Sequence, residues 1–261
     1  MNSAIGLQMW TMHRRLGSPA EYRETLRRIA EIGYRVIQVT PPSFFTDDEF
    51  LALLAENGLR ADSVFAPTGQ IEAQLPHAAA LAARMGTPLL RTDSIPEPMR
   101  GSADGYRAFA AQLNREGRAC RAAGLRLMYH FHAFEWIRFG DVRGIDILLN
   151  ETDPEAVWFQ PDVFWITSAG AEPSAELRRF RGRACSIHVK DYAIDPIRGK
   201  IESVPRRFAP VGQGNLNWPG ILAAARDIGI ERFVVEQDEC AGDEFDAIRA
   251  SIDALHAMGL N

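Results

Sequence analysis

Three polar tips in the second half of the chain each close a short apolar run. Gln160-Pro161-Asp162 follows Ala156-Val157-Trp158-Phe159, and His188-Val189-Lys190-Asp191 follows Ala184-Cys185-Ser186-Ile187. Glu236-Gln237-Asp238 follows Phe233-Val234-Val235. If these runs are parallel strands, an Asp, a His and a Glu meet at one mouth of a barrel. Oxygen and imidazole donors of that kind suit a divalent cation such as Mn²⁺, Zn²⁺, Co²⁺ or Mg²⁺. A fourth cluster, Tyr129-His130-Phe131-His132-Ala133-Phe134-Glu135, ends the run that starts at Leu125. The pattern is that of an enzyme site.

Ligands of this type must be held on rigid elements, and the sequence supplies a regular set. Strand-like runs cover residues 5–10, 36–40, 60–65, 88–92, 125–131, 157–162, 184–189 and 232–236. Helical segments fill the intervals. Ser18-Pro19-Ala20-Glu21 and Thr46-Asp47-Asp48-Glu49 read as capping boxes, the first with Pro at the opening helical position. Glycines at 33, 58, 86, 124 and 229 mark helix exits before the next strand. Alternation of strand and helix implies a parallel sheet with helical crossovers. The stretch after the first strand, Gln8-Met9-Trp10-Thr11-Met12-His13, lacks the glycine fingerprint of an open dinucleotide-binding sheet. Eight strands predict a single-domain (β/α)8 TIM barrel over residues 1–261, a length usual for that fold. Residues 191–217 are rich in Pro and Gly and read as a long irregular loop on the active-site side, of the kind that forms lids or binding loops.

The composition narrows the class. With 29 basic against 34 acidic residues the net charge is −5, and the arginines are dispersed, which argues against a nucleic-acid backbone as partner. Cys120, Cys185 and Cys240 lack the spacing of a zinc site or disulfide framework, and Cys185 sits in an apolar run. The first residues show no basic region followed by a long apolar stretch. No run approaches the roughly 20 apolar residues of a membrane helix. These features predict a cytoplasmic protein with no membrane partner.

The chain resembles the sugar phosphate isomerase/epimerase superfamily, the xylose isomerase-like barrels. These include ketose 3-epimerases, inosose-processing enzymes and, more distantly, metal-dependent abasic-site endonucleases. The residues that carry the likeness are Gly6-Leu7-Gln8-Met9, Ile32-Gly33-Tyr34, Tyr129-His130-Phe131-His132 with Phe134-Glu135, and Gln160-Pro161-Asp162-Val163-Phe164-Trp165. His188-Val189-Lys190-Asp191, Gly212-Gln213-Gly214-Asn215-Leu216 and Val235-Glu236-Gln237-Asp238 complete it. The resemblance implies that Asp162, His188 and Glu236 are metal ligands, with His130 at the position where ketose epimerases place a Glu. It also implies a small-molecule sugar substrate and a homo-oligomer. Strand three reads Ser63-Val64-Phe65-Ala66-Pro67 where many relatives carry a His. Too few His residues remain for the larger metal cluster of the nucleases, because His77 and His256 lie in helical segments.

The resemblance further implies an isomerase or epimerase that works through an enediolate on a sugar or keto-sugar. Glu236 is then ligand and base, with Glu135 or His132 as its counterpart. Phe134 and Trp136 would desolvate Glu135 and raise its pKa toward neutrality. Lys190 either stabilises an oxyanion or pairs with Asp191. Trp10, Trp136 and Trp165 either wall the sugar site or pack in the core. Two other outcomes share the same residues: a lyase acting on a keto-inositol or 3-keto-glycoside, and a sugar-binding barrel without catalysis.

Overall fold

Strand formation follows the apolar runs closely. In the computed structural model, which describes residues 4–195 and 205–260, the barrel strands are β1 (Ala4–Gln8), β2 (Val36–Gln38) and β3 (Arg60–Ala61 continuing as Val64–Phe65). They continue as β4 (Leu89–Asp93), β5 (Arg126–His130), β6 (Val157–Gln160), β7 (Ser186–Val189) and β8 (Arg232–Val235). All their mutual pairings are parallel. One ladder runs β7-β8-β1-β2-β3 and the other β3-β4-β5-β6. They join at β3, where Asp62 and Ser63 interrupt the strand, and between β6 and β7. There Asp162 bridges His188 in parallel, and the His188 amide donates to the Pro161 carbonyl at 2.8 Å. The circle is closed and the TIM-barrel expectation holds.

The crossover helices are α1 (Pro19–Ile32), α2 (Asp47–Glu56), α3 (Ile71–Met85), α4 (Ala103–Ala122) and α5 (Gly144–Glu151). The short α6 (Val163–Ser168) and α7 (Pro173–Arg178) share one crossover, followed by α8 (Trp218–Ile228) and α9 (Glu244–Ala257). Their start signals behave as the sequence suggests. The Ser18 hydroxyl accepts from the Glu21 amide with Pro19 in the first turn, and Thr46 with Glu49 forms a full reciprocal capping box. At Ser18 the box is only half made, because the Glu21 carboxylate takes the Ser18 hydroxyl instead of the backbone amide. The exit glycines all adopt positive φ. Among the described residues, no helix is long and apolar enough to cross a membrane.

Three local departures bear on the site. The first strand stops at Gln8, whose side chain accepts from the Trp10 amide, and the chain tightens into a 3-10 turn over Met9–Arg15. β6 ends before Pro161, so Asp162 caps α6 instead of continuing the strand. The segment expected to be wholly irregular contains an antiparallel ribbon, Asp191–Ile194 against Arg206–Ala209. The middle of that segment, residues 196–204, lies outside the described residues.

Candidate metal centre and cavity

At the C-terminal mouth of the barrel, His130, Asp162, His188 and Glu236 come together. One ligand-type atom from each lies within 4.8 Å of the others, and all four residues are buried. His130 ends β5, His188 lies in β7, and Glu236 follows β8 directly. Asp162 divides its labour: Oδ1 accepts from the Phe164 and Trp165 amides at 2.8 and 3.1 Å, which turns Oδ2 toward the cluster. His188 Nδ1 stands 2.8 Å from Glu236 Oε2 and 3.7 Å from Asp162 Oδ2. None of these three atoms has a hydrogen-bond partner of good geometry. Buried polar atoms left in this way are rare unless something binds them. Two imidazoles and two carboxylates form a donor set that fits a divalent cation.

Lys190 lies against the same cluster. Its ammonium is 2.9 Å from Glu236 Oε2, 2.9 Å from Asp238 Oδ1 and 3.3 Å from Asp162 Oδ2. Pairing with Asp191, one of the sequence-based alternatives, is not found. Strand alternation sends Asp191 to the other side, where its carboxylate accepts from the Gly212 and Gly214 amides and from Trp218 Nε1. Position 214 needs glycine here, because a Cβ would stand 2.2 Å from Asp191 Oδ1.

The electrostatics follow from burial and these neighbours. Burial alone would lower the Lys190 pKa, but Asp162, Glu236 and Asp238 outweigh it and hold the ammonium charged. Burial alone would raise Glu236, yet Lys190 and His188 keep it well below the usual carboxylate range. Burial and the nearby Glu236 push Asp238 up to about 6. His188 also runs against burial, its pKa raised by Glu236 and Asp162. His130 is driven well below its ordinary value by burial and by the His188 charge, which leaves it a neutral donor.

A cavity of about 710 Å³ opens above the cluster. His130, His132, His188, Lys190, Glu236 and Asp238 line it together with Trp10, His13, Phe65, Arg91 and Asp93. Trp10 is 58% exposed at the rim and stacks on His13 at 4.9 Å. His132 reaches the cavity, and its buried Nδ1 has no partner.

Several expected site residues stand elsewhere. Glu135 does not line the cavity. The chain leaves β5 and folds back through a 3-10 turn, Phe134–Trp136, which buries the Glu135 carboxylate completely. There it accepts from the Tyr129 hydroxyl and, at 3.0 Å, from the His132 amide. The expected rise of its pKa is present, to about 7 and chiefly through burial, but a group sealed in this way shapes the turn and does not meet a ligand. Trp165 is likewise absent from the cavity lining. It packs on His132 at 5.4 Å and under Lys190, whose ammonium is 5.2 Å from its ring. Trp136 is buried against Phe131 and belongs to the core.

Arg91, Asp93 and Gln38 escaped the sequence reading. Arg91 and Asp93 are two apart on β4, 3.3 Å from one another, and both face the cavity. Two charged residues at period-two spacing at the end of a predicted strand are the signal that could have found them.

Comparison with known proteins agrees with this architecture. The family model described as xylose isomerase-like TIM barrel matches residues 26–258. Among curated proteins, an inosose dehydratase of Clostridium beijerinckii is 28% identical over 116 residues, covering 44% of this chain and 38% of that enzyme. The chain thus spans less than half the length of this relative. A sugar phosphate isomerase/epimerase from Parabacteroides distasonis superposes with a TM-score of 0.80 at 20% identity, covering 100% of this chain and 96% of that one. The probable 3-DHS dehydratase of Bacillus anthracis gives 0.72 at 15% identity, with 97% and 98% covered.

Proposed function

This chain belongs to the xylose isomerase-like TIM barrel family, and from that premise we propose that it is a metal-dependent lyase. The reading is dehydration of a small polyhydroxylated ketone of the keto-cyclitol or keto-sugar class. A divalent cation held by His130, Asp162, His188 and Glu236 would polarise the substrate carbonyl and acidify the adjacent C–H. Glu236, kept ionised by Lys190 and His188, is the carboxylate placed to take that proton. Lys190 and His132 face the same space and supply N–H groups to a departing or negatively charged oxygen. Trp10 and Phe65 give the apolar surfaces against which a ring rests.

The observation that carries elimination over epimerisation is the identity of the proton carriers. Epimerisation by two opposed carboxylates needs a second one at the metal, and here His130 occupies that place. The next carboxylate along the chain, Glu135 in the turn after β5, is sealed from the cavity. The inosose dehydratase relative supports the same direction. An isomerase or epimerase is the second reading, favoured by His132, whose partnerless Nδ1 at the cavity could return a proton.

The test is incubation of the metal-loaded protein with inosose, 3-DHS and a panel of ketoses in deuterated water, followed by NMR. Loss of water from a substrate is expected. Deuterium incorporation with the carbon skeleton and hydroxyls intact would establish the isomerase reading instead. A protein that binds no metal and exchanges no proton would overturn both.

A further inference from the structure

The strongest unassigned feature is a buried polar chain that reaches His188 from behind the cluster. His188 Nε2 lies 2.8 Å from Gln38 Oε1, on the side of the ring opposite Glu236. Gln38 is fully buried at the end of β2, and its Nε2 donates to Asp62 Oδ2 at 2.8 Å. Asp62, in the break of β3, stands with Oδ1 2.8 Å from Arg232 Nε at the start of β8. Gln8, on the paired position of β1, adds a donor to Gln38 Oε1 at 3.3 Å. Five strands, β7, β2, β3, β8 and β1, thus contribute to one line of contacts.

The line has a direction. The Asp62 carboxylate, paired with Arg232, only accepts, so the Gln38 amide must turn its NH₂ toward Asp62. Its carbonyl oxygen then faces His188 and requires a proton on Nε2. Nδ1 is then the nitrogen that faces Asp162 and Glu236, where it would meet a cation in exchange for its own proton. We infer that Gln38, oriented by Asp62 and Arg232, is a positioning residue that fixes the ring and tautomer of His188. In this way it presents Nδ1 to a cation; the inference rests on the metal-site reading above. Groups of this kind behind a ligating imidazole typically change metal affinity about 10–100-fold when removed.

Asp62→Asn tests the direction as well as the existence of the chain. The introduced side-chain oxygen would turn to Arg232, and its NH₂ would meet Gln38. The Gln38 amide would then reverse and offer NH₂ to His188 Nε2, which favours a proton on Nδ1. Whether Nε2 carries a proton is read from the ¹⁵N shift of that nitrogen in metal-free protein at neutral pH. Zinc affinity is read separately by competition with a chromogenic chelator.

Nε2 should be protonated in the wild type, and Asp62→Asn should strip that proton, leave one on Nδ1 and lower zinc affinity about 10–100-fold. Gln38→Leu, which removes the acceptor, should lose affinity similarly, and Gln38→Glu, which keeps one, should recover most of it. Those two variants decide the matter if Asp62→Asn does not fold. An unprotonated Nε2 in the wild type, or one Nε2 state and one affinity across all variants, would overturn the inference. A wild type with Nε2–H and a tautomer that follows the variants, but with no zinc bound, would uphold the orienting chain and remove the metal reading instead.

Discussion

Glu135→Gln separates two roles for a carboxylate beside the site. In the folded protein the Glu135 pKa lies at about 7 against an ordinary 4.5, raised chiefly by burial. The folded state therefore holds this proton more tightly than the unfolded chain does. Its contribution to stability is complete below pH 4.5 and is lost as pH rises through about 7. The interval between the two values corresponds to about 3 kcal/mol. Glutamine resembles the protonated acid and does not titrate, so the variant should escape that loss. It carries a fixed cost of about 1 kcal/mol, because its single oxygen can accept from the Tyr129 hydroxyl or the His132 amide but not from both. Urea unfolding in the presence of chelator, at pH 4 to 8, isolates the effect as the difference between the two proteins. The variant should be slightly the less stable at the acid end and gain about 3 kcal/mol relative to wild type by the alkaline end. Turnover, once a substrate is in hand, should change no more than about threefold, far below the 100-fold or more expected on losing a general acid or base. Parallel stability profiles, or a 100-fold loss of turnover with metal retained, would refute the placement of Glu135 as a sealed structural group.

Further outcomes follow from the same contacts. His188→Ala should lower zinc affinity by more than the 10–100-fold expected of a hydrogen-bonding partner, with bound metal and activity falling together; a loss of stability at unchanged metal content would assign His188 a purely structural part. Lys190→Met leaves the buried Asp162, Glu236 and Asp238 carboxylates without their ammonium, a cost of about 3–5 kcal/mol in chelator. Zinc should restore more stability to this variant than it adds to wild type, and equal gains in thermal melts would contradict the shared-oxygen geometry. Gly214→Ala drives a methyl into Asp191 and should cost about 1–3 kcal/mol through strain at that contact. Thr46→Ala removes half of a capping box at an exposed helix start and should cost about 1 kcal/mol, measurable by urea unfolding.

What the sequence made legible was whatever depends on strand period and strand ends. The eight apolar runs are the eight barrel strands, and the tips at 162, 188 and 236 converge because parallel strands deliver their C-terminal ends to one face. The same period decides Lys190. Residues 188 and 190 share a face and 189 and 191 take the other, so Lys190 joins the cluster while Asp191 ties down Gly212 and Gly214. Where the chain leaves a strand, that rule lapses. Glu135 stands five residues beyond His130, and a 3-10 turn folds it back behind the strand. The direction of such a turn is set by the hydrogen bonds Glu135 accepts from Tyr129 and His132, which the strand period does not reveal. Trp165 is displaced for a related reason: Pro161 ends β6 early, Asp162 becomes a helix cap, and the indole swings under Lys190. Gln38 and Asp62 were hidden differently. Gln38 is a lone polar residue at the end of a short apolar strand and Asp62 sits beside Ser63 in a strand break, and their meaning lies in partners 150 and 24 residues away. Barrel closure creates those neighbours, so the chemistry of the ligand tips could be read from the sequence while the orientation of those ligands required the fold.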